Sequence, residues 1–307
     1  MTQLIYNIED ITKEINIKKC VIHDNAGDGA DDVGIVFPDG DKLWSKWKPK
    51  RGDTVIVKSD SLTTGLMYVD GTSQDAGLFT INAISTPLSV KRPKTRIWRN
   101  IRFTEIITDI ANANSLKPTL YGVSDYAYNA ISQFNQSDID FLNNICIREG
   151  CCCKVTDGNL VVFNEKYIES LESTTKLTPE DVEPNYTFSI SDSLYQRFTV
   201  LYSVPFGETI YYTSFDNEII GASGRKIEYL SSIAEAERWS KCYLRYNNKF
   251  QKTAWLPMKQ ASDIAAGSVL YLEKFGAYDG KYYVYKVSHD TANNKSYLNL
   301  RQPLSKY

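Results

Sequence analysis

Near each end of this chain a glycine opens a run of alternating apolar residues. One run is Gly52-Asp53-Thr54-Val55-Ile56-Val57 and the other is Gly267-Ser268-Val269-Leu270-Tyr271-Leu272. Each is followed, at a different distance, by a second glycine-led run: Gly77-Leu78-Phe79-Thr80-Ile81 and Gly280-Lys281-Tyr282-Tyr283-Val284. A period of two puts alternate side chains on one face, as in a half-buried strand. Such a run is common in β proteins, but its recurrence in the same order points to a duplicated β unit. The first 95 or so residues read as β throughout, with turns at Pro49, Gly52, Asp70-Gly71 and Gly77. Leu62–Asp75 reads as a long insert loop. The last sixty or so are β again, with strands expected at Lys252–Leu256, Ser268–Leu272, Lys281–Val287 and Ser296–Leu300.

Between these ends the period changes. After Lys91–Asn100, a basic stretch with Pro93, Thr104 is placed to cap a helix. Ile106, Ile107, Ile110 and Ala113 form its apolar face, and Pro118 follows its end. Ser137 and Asp140 start a second helix, Phe141, Leu142 and Ile145 face its core, and Gly150 stops it. Asp157-Gly158 then marks a hairpin between Cys152–Thr156 and Leu160–Asn164. In that frame Cys151 and Cys153 point one way and Cys152 the other. A polar linker, Glu169–Pro184, precedes strands at Tyr186–Ile190 and Arg197–Ser203. A third helix, from Ser232 to Tyr246, buries Ala236, Trp239 and Tyr243.

A length of 307 residues allows two to four small domains. The net charge of -2, with no Lys/Arg run, argues against sequence-independent nucleic-acid binding. No apolar stretch is long enough for a membrane helix, and MTQLIYNIED lacks a signal-peptide pattern. Membrane insertion is therefore not expected. Three of the six cysteines are consecutive and cannot supply the paired C-x-x-C arms of a zinc site, so buried free thiols are the expectation. Tyr outnumbers Phe by 21 to 12, a composition that suits subunit interfaces as well as ordinary strand surfaces.

Catalytic groups are scarce. Only His23 and His289 titrate near neutrality, and Ser288–His289 is no dyad, because neighbours on a strand face opposite ways. No G-x-S-x-G, H-E-x-x-H or phosphate-cradling glycine loop occurs. The Gly/Asp-rich loop Asp24–Asp32 departs from a calcium loop at Ala26 and Ile35. Carboxylates are numerous enough for a glycosidase pair but read as surface acids. No catalytic, cofactor-binding or metal-ligating residue is assigned.

Gln133-Phe-Asn-Gln-Ser-Asp-Ile-Asp-Phe-Leu142, then Gly150, Lys154-Val155, Asp157-Gly-Asn-Leu160 and Phe163, resembles the phage late control protein D family, whose pattern is "Q-x-N-x-S-D-x-x-F-L", a glycine, a strand and "D-G-x-L-x-F". Asn114-Ser-Leu-Lys-Pro118 is similar to its "N-G-L-x-P". Gly29-Ala-Asp-Asp-Val-Gly-Ile35 resembles its "A-D-x-L-x-I" strand and Gly52-Asp53 its "G-D-x-V". Ala234–Leu244 is similar to its "A-E-x-R-A-x-x-x-L" helix, and Gly267, Gly280, Tyr282, Val284, Val287, His289 and Tyr297 fall on its closing run.

The resemblance implies a mixed β fold with α+β insertions, made of two tube-protein-like β-barrels plus two smaller inserted α/β pieces. Residues 1–95 would form the first barrel and 96–168 an α/β insert. Residues 169–205 with 250–307 would form the second barrel, and 206–249 a small helical insert. The family forms homotrimeric baseplate hubs, similar to XkdQ-type prophage hubs and to the N-terminal part of VgrG. Two barrels per chain would then adapt a sixfold tail tube to a threefold central spike. His289 would be a structural strand-end residue. The implied partners are the tail tube protein, the spike and other baseplate proteins. The implied location is the baseplate of a virion or phage-tail-like particle, after synthesis in the host bacterial cytoplasm. The chain ends at Tyr307, soon after the last barrel strand, so spike and lytic activities are expected on separate proteins. The alternatives are a tail-associated peptidoglycan hydrolase and a receptor- or carbohydrate-binding tail module.

Overall fold

Alternation in sequence becomes alternation in burial: Val55 and Val57 are fully buried, while Thr54 and Ile56, which alternate with them, are only partly so. The computed structural model describes residues 2–27, 29–60, 62–203, 207–259, 261 and 263–306. The chain begins with β1 (Thr2–Tyr6), β2 (Glu9–Asp10), β3 (Lys19–Asn25), β4 (Asp32–Pro38) and α1 (Leu43–Trp47). Then come β5 (Thr54–Ser59), β6 (Leu62–Thr63), β7 (Met67–Asp75) and β8 (Leu78–Ile84). The middle holds β9 (Pro93–Arg102), α2 (Phe103–Ala113), β10 (Lys117–Tyr121), β11 (Ala127–Ser137) and α3 (Asp138–Arg148). It continues with β12 (Cys151–Thr156), β13 (Asn159–Asn164), α4 (Glu165–Ser170) and β14 (Thr175–Leu177). After β15 (Thr187–Ile190) come β16 (Tyr195–Ser203), β17 (Thr209–Phe215), β18 (Ala222–Ile227) and α5 (Ile233–Asn248). The last strands are β19 (Lys252–Lys259), β20 (Val269–Leu272), β21 (Gly280–Asp290) and β22 (Lys295–Arg301).

Among the described residues, fourteen strands form one sheet, whose main path is β15-β19-β22-β21-β3-β4-β8-β7-β5-β1-β2. Its two halves curl around separate cores, one containing Ile35, Val57 and Ile81 and the other Leu256, Leu272 and Leu298. These are the two barrels. Burying each such side chain contributes about 1.5–3 kcal/mol relative to leaving it exposed.

The repeat holds residue by residue. In the first barrel β3-β4-β8-β7-β5 are neighbours in that order, and in the second β15-β19-β22-β21-β20. Thr54 faces Tyr68 as Val269 faces Tyr283. The Gly52 and Gly267 N–H groups donate to Val69 O and Val284 O, each at 2.8 Å. Both glycines lie at positive φ, +94° and +89°, where a Cβ is strained. Each barrel also has a bulge in the equivalent strand, between Val69 and Gly71 in β7 and between Val284 and Lys286 in β21. The pairing of Gly77–Ile81 with Gly280–Val284 needs correction, because β21 is the counterpart of β7 and β22 that of β8. Leu62–Asp75 is accordingly no insert loop but β6 and the whole of β7 with the short turn between them. The exposure of its Thr72-Ser-Gln-Asp75 end removed the alternation that would have revealed a strand.

The inserted pieces share one apolar core, in which Phe103, Ile106, Ile107 and Leu142 pack with Trp239 and Leu244. α2 buries Ala111 rather than Ala113. Its first turn is held from outside, since Asp125 Oδ1 accepts both the Thr104 N–H (3.1 Å) and hydroxyl (2.9 Å). Ser137 and Ser232 cap α3 and α5 as expected, accepting from Asp140 N and Glu235 N. The basic stretch after Lys91 is strand β9, paired with β11. Arg197–Ser203 lies in β16, which among the described residues pairs with β17 and β18 and not with barrel strands, so the second insertion is α+β and not only helical. The supposed linker from Glu169 begins inside α4 and contains β14.

Candidate functional site

The large sheet has one face toward the two barrel cores and one polar face. On the polar face lie Asp32, Thr80 and Asn82 of the first barrel and Ser288, Lys295 and Asn299 of the second, all partly or fully exposed. What makes the face continuous is β21. Its first half pairs with β20; beyond the bulge, Lys286–Asp290 pair with Asn25–Val21 of β3. Ala26 N–H donates to Tyr285 O at 3.0 Å, and His23 Nδ1 lies 2.8 Å from Ser288 Oγ.

This seam is where the structure places His23 and His289. Ser288 and His289 do face opposite ways. His289 is buried against Ser296 Oγ at 2.9 Å, and burial holds its pKa below the usual histidine value. The His23–Ser288 contact crosses strands and was invisible in the sequence. Burial lowers the His23 pKa, and Asp32, directly opposite on β4, opposes that shift. The hydroxyl meets Nδ1, and no hydrogen bond from the ring to Asp32 occurs among the described residues, so these three groups do not form a relay.

The acids of the Asp24–Asp32 loop are engaged by a lysine. Lys154 Nζ of β12 lies 2.7 Å from Asp24 Oδ1 and 3.1 Å from Asp31 Oδ1. Asp24 Oδ2 accepts Ala266 N–H at 2.7 Å, and Asp31 Oδ1 accepts Asn25 N–H at 2.8 Å. The first barrel, an insert and the second barrel thus meet at one ion cluster beside a cleft of about 490 Å³. Burial pushes the Asp31 carboxyl up to about 6, against the pull of Lys154. Among the described residues no group of His, Cys, Asp and Glu side chains is arranged to hold a metal.

A second cluster fastens α4 to the second barrel. Arg301 of β22, fully buried, sets Nη2 2.8 Å from Glu165 Oε1 and Nη1 2.5 Å from Glu169 Oε1. Lys249 Nζ lies 3.3 Å from Glu165 Oε1, Arg245 pairs with Glu169, and the Arg301 guanidinium stacks 4.4 Å over Tyr283. Burial alone would raise the Glu165 pKa, but Lys249 and Arg301 outweigh it and hold it at about 2. Sequence reading missed this cluster, because i,i+4 acids before a polar stretch look like a solvated helix end. The Cys151–Cys153 run behaves as alternation requires: Cys151 and Cys153 face the insert core, and Cys152 faces Tyr283 and Phe163 on the other side. Among the described residues no two of the six cysteines form a disulfide.

No family model matches the chain, and no curated protein matches it by sequence. Solved structures do match along its whole length. The 43 kDa tail protein of prophage MuSo2 from Shewanella oneidensis has a TM-score of 0.74 at 15% identity, covering 97% of each chain. A tail protein from Neisseria meningitidis has a TM-score of 0.77 at 11% identity, covering 98% of this chain and 96% of its own. The fold is that of phage tail proteins. The same tail-protein fold extends to the Escherichia coli c3393 protein, a type VI secretion component described as similar to the T4 tail proteins gp27 and gp5. There the TM-score is 0.61 at 10% identity, over 95% of this chain and 75% of that one. In this tail-protein fold the structure offers a polar sheet face, two ion clusters and a seam between barrels, features that join parts together.

Proposed function

We propose that this chain is the structural hub subunit of a contractile-tail baseplate, without catalytic activity of its own. Three copies would form a homotrimeric ring that presents six near-equivalent barrels to a sixfold tail tube on one side and a threefold spike on the other. Its partners would be the tube protein, the spike and other baseplate proteins, and its place the baseplate of a virion or tail-like particle assembled in the host bacterial cytoplasm. The observation that carries this reading is the barrel repeat, matched in strand order, register, turn glycine and bulge. A chain with two such units supplies twice as many barrels as subunits, which is what a threefold-to-sixfold adaptor requires. No helix among the described residues is long and apolar enough to cross a membrane.

The test is a reconstituted assembly with tube and spike proteins, imaged at side-chain resolution. β4, β5, β7 and β8 should superpose on β19, β20, β21 and β22 after rotation by roughly sixty degrees about the ring axis, the step expected of a closed pseudo-sixfold assembly. A ring in which only one barrel lines the channel would defeat the reading. The His23–Ser288 contact gives the hydrolase alternative one specific target. Clearing of a cell-wall suspension that disappears in Ser288→Ala would favour the peptidoglycan hydrolase instead.

A further inference from the structure

The connection between β4 and β5 concentrates positive charge on the first barrel. Lys42, Lys46, Lys48, Lys50 and Arg51 fall within ten residues that contain no acid. Leu43, Trp44, Trp47 and Pro49 separate the lysines, so no run shows in the sequence. All four lysines are exposed. Arg51 Nη2 lies 2.9 Å from Asp70 Oδ1, whereas Lys42, Lys46 and Lys48 form no ion pair with a described residue. The equivalent connection of the second barrel, residues 260–268 between β19 and β20, contains no Lys, Arg or aromatic residue. A barrel of this kind therefore closes without a basic segment.

The segment is a fixed knob. Trp44 of α1 is buried against Phe37, with ring centroids 4.2 Å apart, and Asp39 Oδ1 accepts its N–H at 2.9 Å. Tyr6 meets Trp44 edge-on at 6.3 Å, which sets the turn between β1 and β2 beside α1. Around this anchor large apolar side chains stand in solvent: Ile8 of the turn at 94%, Leu43 at 44% and Trp47 at 41%. Ile8 has φ +70°, a strained conformation for a β-branched residue, and at that exposure nothing in this chain offsets the strain. The backbone at these tips is paired. The N–H groups of Lys46 and Lys48 donate to Lys42 O (3.1 Å) and Trp44 O (2.9 Å), and that of Asn7 to Thr54 O (2.9 Å).

We propose that this knob adsorbs to an anionic lipid surface, without spanning it. The lysine amines lie among the lipid phosphates, and Ile8, Leu43 and Trp47 enter the boundary of the acyl chains. A bilayer of anionic lipid offers negative charge with apolar chains just beneath it at every point, which matches lysines surrounding three apolar tips. Lysine stems can lie along such tips while the amines stay in water. A purely acidic protein surface would satisfy the lysines and leave the apolar tips in water. Nucleic acid is the poorer fit, since a strand is held by stacking on several rings along a basic groove, and Trp47 is the only tryptophan exposed on this knob. Arginine, the better fork for nucleic-acid phosphates, occurs here once and is tied to Asp70. Paired backbone groups let the tips leave bulk water without stranding an N–H. The inference does not depend on the hub reading, and its failure would leave that reading intact.

Co-flotation of the full-length chain with vesicles tests this. Vesicles containing about one-third phosphatidylglycerol in phosphatidylcholine should carry the protein upward, and phosphatidylcholine alone should not. Lys46→Glu with Lys48→Glu should weaken flotation at least about tenfold, as should raising the salt from about 0.1 M to about 0.5 M. Reversing Arg225 and Lys226 on β18, both exposed, should leave it unchanged. Ile8→Asn separates binding from folding, because Asn tolerates the left-handed turn: the urea midpoint should hold or rise while flotation falls. Brominated acyl chains should quench part of the tryptophan emission, and Trp47→Phe should remove that part. Equal flotation on neutral and anionic vesicles, or equal loss in the β18 and knob reversals, overturns the proposal. So does a protein that ignores vesicles but binds poly-glutamate or an oligonucleotide through Lys46 and Lys48, which would assign the knob to an acidic protein or a nucleic acid.

Discussion

Against β5 the first barrel sets β1, antiparallel, with Leu4 opposite Val57; against the equivalent β20 the second barrel sets β14, parallel, with Leu177 opposite Leu272. Both leucines are buried, so the same slot receives the same side chain from strands running in opposite directions. The slot requires an apolar group and a ladder of hydrogen bonds, and either strand direction supplies them. Direction follows from the connections: β14 is delivered by α4, whereas β1 leads through β2 toward β3. A second difference lies at the end of the hairpin. Ile84 of β8 and Arg301 of β22 are equivalent by pairing, yet the first is a partly buried apolar residue and the second is a fully buried cation tied to two glutamates. The first barrel is closed by apolar packing, with Trp44 stacked on Phe79 at 5.8 Å. The second is also fastened by charge to an insertion. Duplication kept the ladder, while what each barrel touches set the rest.

The matched substitutions Arg301→Ala and Ile84→Ala should separate these modes most strongly. Removing Arg301 leaves Glu165 and Glu169 under-compensated in the interior and should cost about 3–5 kcal/mol in urea unfolding. Ile84→Ala should cost less than about 2 kcal/mol, because the side chain is partly exposed. Equal losses would mean that the ion cluster does not hold the second barrel.

The pH response should differ in sign between the two clusters. Glu165, held at about 2, contributes stability that is present above its unfolded value and lost as pH falls from about 5 toward 2. Asp31, raised to about 6, acts oppositely: its contribution is greatest below about pH 4 and lost as pH rises through 6. Each limb should amount to roughly 3 kcal/mol. Urea midpoints measured across this range should peak near pH 4–5, and Asp31→Asn should flatten the upper limb alone. An upper limb unchanged in Asp31→Asn would remove Asp31 as its cause.

Gly52→Ala and Gly267→Ala test whether the repeat is energetic as well as geometric. Both positions have φ near +90°, so each change should cost roughly 1–2 kcal/mol. Gly52 should lose slightly more, since its Cβ would come within 3.3 Å of Leu88 whereas that of Gly267 meets nothing. A neutral effect at either site would show that its turn relaxes freely. The smallest effect is expected for Cys152→Ser. Its side chain is one of the groups that lower the Glu165 pKa, so a serine hydroxyl would have a carboxylate partner there and the loss should stay under about 1 kcal/mol instead of the 1–3 expected for an unpartnered buried hydroxyl. A larger loss in thermal unfolding would show that the serine hydroxyl is left unpaired.

Caps, turns and alternation were legible because they are encoded within a few residues. Ser137 and Ser232 start helices through hydrogen bonds to residues three positions on, and Asp157-Gly158 turns its own hairpin. The repeat was legible at β5 and β20, where both alternate strictly, but was misaligned at the next strand. The far half of β7, Gly71–Asp75, escaped notice because among the described residues it pairs with β8 alone, so no second strand imposes burial on alternate residues. β9 and β11 escaped for a related reason, since a two-stranded ribbon alternates charged and half-buried groups without an apolar face.

Sequence alone therefore determined the β ends, the helical middle, the caps and one member of the duplication, because each depends on the identity of residues close in the chain. Tertiary structure alone decided that β21 leaves β20 to pair with β3, that Lys154 occupies the acidic loop, and that Glu165 and Glu169 are buried. Those outcomes depend on which distant groups arrive at a backbone edge or a carboxylate, and neither an N–H nor an acid carries a local sign of the partner that will satisfy it.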